Sequence, residues 1–84
     1  MKDNKLRLFV AASCASCNEV SQLLREGKAN VMPDEVIDLE EHIEWAEKLR
    51  FTRGIPAAFQ GSRQCQLGVQ GNDEGRQLMI KCPS

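Results

Sequence analysis

Two cysteines separated by two residues, Cys14-Ala15-Ser16-Cys17, fall where an apolar run from Leu6 to Ala12 gives way to a segment of helical periodicity. That spacing lets two sulfurs close a disulfide across the first turn of a helix. At a helix N-terminus the backbone N–H groups lack intrahelical partners and the dipole favours an anion. A thiolate is therefore stabilised on the first cysteine, with the second placed to resolve a mixed disulfide. The pair points to thiol–disulfide exchange, with Cys14 as nucleophile and Cys17 as resolving thiol. The other use of a CxxC pair is metal binding. Zinc takes four ligands, usually from a second CxxC or paired histidines, whereas this chain adds only His42 and two isolated cysteines, Cys65 and Cys82. Those two fall on the apolar sides of their segments and read as core thiols, since free Cys packs as a small hydrophobe. His42, between Glu41 and Glu44, reads as solvated surface, and no metal is expected.

The elements that must position this pair follow from hydrophobic periodicity. Leu6, Leu8 and Val10 alternate with Arg7, Phe9 and Ala11 as a mostly buried strand. From Cys14 to Glu26 the apolar positions Cys17, Val20, Leu23 and Leu24 recur at helical steps, and Gly27-Lys28 supplies the stop. Val36 to Leu39 is a second strand. Glu40 and Glu41 then place negative charge at the start of a helix with Ile43, Ala46 and Leu49 as its buried stripe and Trp45 alongside. After Gly54-Ile55-Pro56, Ala57 to Phe59 reads as a strand that Gly61-Ser62 turns back into a half-buried strand with Cys65, Leu67 and Val69 inward. Gly71-Asn72-Asp73 is a turn with a cap, and Leu78, Met79 and Cys82 lie on one face of a closing helix that ends near Pro83. The order β-α-β-α-β-β-α predicts one mixed four-stranded sheet, parallel in its first half and antiparallel in its second, with helices on both faces.

Composition narrows the class. A chain of 84 residues, 42% hydrophobic, supports one domain spanning 1–84. Its 11 basic and 12 acidic side chains give a net charge of −1 with no basic block and no Tyr, so no nucleic-acid partner is expected. No apolar stretch approaches the ~20 residues of a membrane span, and no membrane association is expected. Lys5-Leu6-Arg7 followed by Leu8 to Ala12 and Cys14 faintly imitates a lipoprotein signal. The apolar region falls short of the roughly 7–15 residues such a signal needs. The expectation is a cytoplasmic protein whose cysteines are thiols in a reducing compartment.

With the CxxC at the end of the first strand and Pro56 at the start of the third, the chain resembles the thioredoxin fold in its minimal, glutaredoxin-sized form, over nearly its whole length. Arg53-Gly54-Ile55-Pro56 is similar to the loop that in thioredoxins carries a cis-proline against the active-site disulfide. The resemblance makes Pro56 that proline and Ile55 the residue before it. It also implies that the exposed backbone at Gly54-Ile55 holds an extended target segment by strand-like hydrogen bonds. Arg53 is either a neighbour of the active site that favours a thiolate or an exposed loop arginine. Where thioredoxins carry Trp-Cys-Gly-Pro-Cys, this chain reads Ser13-Cys14-Ala15-Ser16-Cys17, and Leu8 replaces their buried acid. Gly71-Asn72-Asp73-Glu74 is a loose version of the glutaredoxin glutathione loop, but Ala11 stands for the usual Lys and Gly54-Ile55-Pro56 for Thr-Val-Pro.

The resulting expectation is a monomeric protein-disulfide reductase or exchanger acting through Cys14 and Cys17. Its partners would be disulfide-containing proteins and a recycling reductase or glutathione, with no cofactor beyond that electron donor. Two alternatives stand beside it: a glutathione-dependent glutaredoxin, and a non-enzymatic binding module of the same fold whose CxxC is a structural disulfide or metal clip.

Overall fold

The computed structural model describes residues 4–48, 54–72 and 74–83. Their order is β1 (Leu6–Val10), α1 (Ala15–Arg25), β2 (Glu35–Asp38), α2 (Ile43–Lys48), β3 (Ala57–Gln60), β4 (Arg63–Gln70) and β5 (Gln77–Lys81). The strands form one mixed sheet in the order β2-β1-β3-β4-β5. β1 and β2 are parallel, with Leu8 opposite Val36, while β1/β3, β3/β4 and β4/β5 are antiparallel. Parallel neighbours cannot be joined by a tight turn, so α1 serves as the crossover between β1 and β2.

The alternation along β1 divides the molecule into two apolar layers. Leu6, Leu8 and Val10 face α1 and meet Cys17, Val20, Leu23 and Leu24, the four positions that the helical period singles out. Phe9 points to the opposite face and packs with Ala57 and Phe59 under Ile37, Leu39 and Trp45. Its ring lies 5.6 Å from that of Trp45 and 5.7 Å from that of Phe59. Leu8 and Phe9 are both wholly buried, and burial of side chains of this size stabilises the fold by about 1.5–3 kcal/mol each.

Three expectations are corrected here. The sheet has five strands, not four, because residues 77–81 are a strand where a closing helix is predicted. The apolar positions there are Leu78 and Ile80, a period of two, and both are buried against the α1 side of the sheet. In α2, Ile43 and Ala46 are exposed, and half-buried Trp45 makes the inward contact. Leu49, the third member of the predicted stripe, lies outside the described residues. The third correction concerns Cys65 and Cys82, which are joined as a disulfide. The physical cause is the same strand. With Gln66 opposite Lys81 in the β4/β5 ladder, the next position sets Cys82 directly across from Cys65, a placement that a helix would not produce. Their apolar setting is as expected: Cys65 is buried in the core and Cys82 packs against it.

Candidate thiol site

Cys14 is the N-cap of α1, with the extended backbone (φ −93°, ψ 116°) that this position requires. Caps are ordinarily oxygen-bearing side chains. Here the Cys14 sulfur takes that place and accepts a hydrogen bond from the Cys17 backbone N–H at 3.2 Å. The Cys14 backbone N–H donates to the Ala11 carbonyl at 3.1 Å, which closes the turn between β1 and the helix. Cys14 is half-buried, and Cys17, one turn inside, is only 1% exposed. Both are free thiols.

The electrostatics hold the proton on Cys17. Burial pushes its pKa from 9.0 up to about 11, the Cys14 sulfur and the Asp38 carboxylate adding to the rise against a backbone hydrogen bond involving Ala11. The site therefore offers an accessible sulfur at a helix N-terminus, capped by an N–H that a thiolate can also accept from, beside a buried sulfur that keeps its proton. This is an arrangement for sequential, not simultaneous, nucleophiles.

Opposite Cys14 lies the loop that leads into β3. The Ile55–Pro56 peptide bond is cis, the isomer that the family resemblance implies. Gly54 has φ +75°, a left-handed conformation open to glycine. The Ile55 carbonyl oxygen lies 3.9 Å from the Cys14 sulfur and accepts from its S–H. Beside this contact a cleft of about 360 Å³ runs between α1, the Ile55–Pro56 loop and β4, with Ser16 at its Cys14 end. Arg53, expected near the site or in solvent, lies outside the described residues, as does Asp73.

Gly71 and Asn72 have a local explanation. A Cβ on Gly71 would overlap the carbonyl oxygen of Gly75, and φ there is +95°. The Asn72 Oδ1 accepts from the Gly75 N–H at 3.2 Å. These residues build the β4–β5 turn and do not line the cleft. The turn is linked to α1 through the Arg76–Glu19 ion pair at 3.2 Å.

One contributor is not legible in the sequence. Glu40, read as a helix-start charge, instead reaches back to the segment ahead of Cys14. Its carboxylate accepts from the Ser13 hydroxyl at 2.6 Å and from the Ser13 N–H at 3.1 Å, and these bonds hold its pKa below the ordinary carboxylate value. His42 is exposed, with Glu44 as its neighbour at 3.2 Å. Among the described residues no group of His, Cys, Asp and Glu side chains is arranged to hold a metal ion, and no helix is long and apolar enough to cross a membrane. In comparisons with known proteins, no family model, no curated protein and no solved structure matches this chain.

Proposed function

We propose that this chain is a thiol–disulfide oxidoreductase of thioredoxin-like fold, acting on protein disulfides through Cys14 and Cys17. The observation that carries the reading is the asymmetry of the pair: a half-buried Cys14 sulfur on the helix N-terminus, and a Cys17 that is 1% exposed with its pKa raised to about 11. The CxxC at the β1–α1 junction, the parallel β1/β2 pair and the cis Ile55–Pro56 bond facing Cys14 support the same fold reading.

In the reaction, the Cys14 thiolate attacks one sulfur of a substrate disulfide. A Cys14–substrate disulfide forms and the other substrate sulfur leaves as a thiolate, which takes up a proton. Cys17 then loses its proton and attacks the Cys14 sulfur, so that the Cys14–Cys17 disulfide forms and the second substrate thiolate departs. Two electrons have passed to the substrate, and a dithiol or two glutathione molecules return them. The exposed Gly54 and the half-buried Ile55 beside Cys14 offer backbone on which an extended substrate segment pairs as a strand would, displacing the Cys14 S–H from the Ile55 carbonyl.

The compartment bears on the sulfur inventory, since a free Cys14–Cys17 dithiol suits a reducing cytoplasm and a closed Cys65–Cys82 pair an oxidising space. The proposal is tested by insulin-disulfide reduction with a dithiol donor. Cys14→Ser should abolish turnover, and Cys17→Ser should abolish it with the dithiol donor. Turnover that survives Cys17→Ser when glutathione is supplied identifies the glutaredoxin mechanism, and full activity in Cys14→Ser removes the proposal.

A further inference from the structure

β4 is held in two different ways along its length. Arg63, Gln64 and Cys65 pair with β3, whereas Gln66 to Gln70 pair only with β5. Cys65 thus stands where β4 leaves the body of the sheet and goes on paired on one side only, with β5, which is itself bridged to Ala29 through Leu78. β5 has its own anchors. Leu78 and Ile80 are buried against the α1 side, and the Asn30 side chain donates to the Ile80 carbonyl at 2.9 Å and accepts from the Ile80 N–H at 2.8 Å. Beyond Cys65, β4 is largely exposed, with Gln66, Gly68, Val69 and Gln70 in solvent contact. The Cys65–Cys82 bond, with Cα atoms 4.2 Å apart, fastens the root of this stretch to the anchored strand.

Two further observations give that bond a chemical role. Cys65 lines the same cleft as Ser16, Ile55 and Pro56, so whatever moves it moves a wall of the candidate substrate site. Cys82 lies past the last residue of β5 and is half-buried, while Cys65 is 6% exposed. Access helps decide which sulfur of a disulfide is attacked, and of the two residues Cys82 is the more exposed.

We infer that Cys65–Cys82 is a second thiol–disulfide couple, entered at Cys82, whose reduction loosens the β4 wall of the cleft beside Cys14. The reductant is a dithiol. One of its thiolates attacks the Cys82 sulfur, a mixed disulfide forms, and Cys65 leaves as a thiolate and is protonated. Its second thiolate closes the reductant's own disulfide, and Cys82 leaves and is protonated in turn. Two electrons enter the protein, two cysteine thiols result, and a disulfide oxidant reverses the change.

This couple stands apart from the reaction proposed for Cys14 and Cys17, and its test removes them. Protein carrying Cys14→Ser and Cys17→Ala is incubated with dithiothreitol or with its oxidised form. Thiols are counted by alkylation and mass, and backbone amide exchange is followed. The expected result is a folded two-thiol state, alkylated first at Cys82, in which amides of residues 66–70 exchange about tenfold faster or more while those of β1 and β2 are unchanged. A Cys65→Ala, Cys82→Ala protein should show the same local loss without any reductant. A bond that resists dithiothreitol in the folded protein but yields in the urea-unfolded chain overturns the inference. Reduction that leaves residues 66–70 protected overturns it too, and exchange that accelerates throughout the molecule makes the bond a structural staple instead.

Discussion

Glu40 reaches across 27 positions of sequence to take two hydrogen bonds from Ser13, the residue immediately before Cys14. It does so from a turn tied to the end of β2, where its own N–H donates to Asp38 Oδ1 at 2.8 Å. The segment entering α1 is therefore held from the β2–α2 side, one residue ahead of the Cys14 cap.

Replacing that carboxylate separates its charge from its geometry. Glu40→Gln retains an acceptor oxygen and should keep the alkylation rate of Cys14 near that of the native protein, whereas Glu40→Ala should change it by about threefold, the scale of one net hydrogen bond. A protonated carboxyl also keeps a carbonyl acceptor, so acid should resemble the glutamine variant and remove only what the carboxylate's charge contributes to stability. Because the folded-state pKa of Glu40 is lowered, its contribution is fully present above the ordinary carboxylate pKa and is lost as pH falls through the depressed folded value. Equal alkylation rates in all three proteins would show that the clamp does not act on Cys14.

Cys17 should impose its own pH dependence on the second chemical step. With its pKa raised to about 11 by burial, the thiolate fraction grows about tenfold per pH unit through the neutral and mildly alkaline range. Single-turnover release of substrate from a preformed Cys14 mixed disulfide should accelerate accordingly. The same shift has a stability consequence of defined sign. The raised folded pKa contributes stability that is intact below 9.0, and this is lost as pH rises from there toward about 11. A release rate that levels off near pH 7 would contradict the assignment.

The strand at 77–81 makes a separate claim on stability. Leu78 is wholly buried, and its truncation to alanine should cost about 2–5 kcal/mol in urea unfolding. Asn30→Ala, which strips both hydrogen bonds from the Ile80 backbone, should cost about 1–2 kcal/mol. A chain in which these residues formed an exposed helical turn would tolerate both changes.

What could be read from the chain, and what could not, divides along physical lines. β1 and α1 were legible because each buries one face and so shows a single period: Leu6, Leu8 and Val10 for the strand, and Cys17, Val20, Leu23 and Leu24 for the helix. The hairpin turn at Gly61, with φ +63°, was legible from its glycine. Residues 77–81 are ambiguous in sequence because Leu78-Met79-Ile80 is a short apolar run that fits either period. The deciding positions are Leu78, Ile80 and Cys82, whose spacing of two matches that of Cys65, Leu67 and Val69 across the β4/β5 ladder, although Val69 itself is exposed. The Cys65–Cys82 bond follows only once that register is known. α2 differs for another reason: among its described residues Ile43 is 62% exposed and the contact with the sheet is made by Trp45, one aromatic anchor and not a periodic stripe. The Ser13–Glu40 clamp depends on a long-range juxtaposition that local pattern does not encode.

In the proposed reaction Cys14 attacks and Cys17 resolves. Its most direct test is trapping. Cys17→Ser protein is mixed with a disulfide-bonded peptide, unreacted thiols are blocked, and the adduct is located by mass spectrometry after proteolysis without reductant. A stable mixed disulfide at Cys14, released promptly in protein that retains Cys17, is the predicted result. Absence of any adduct at Cys14, or an adduct found only at Cys65 or Cys82, would contradict it.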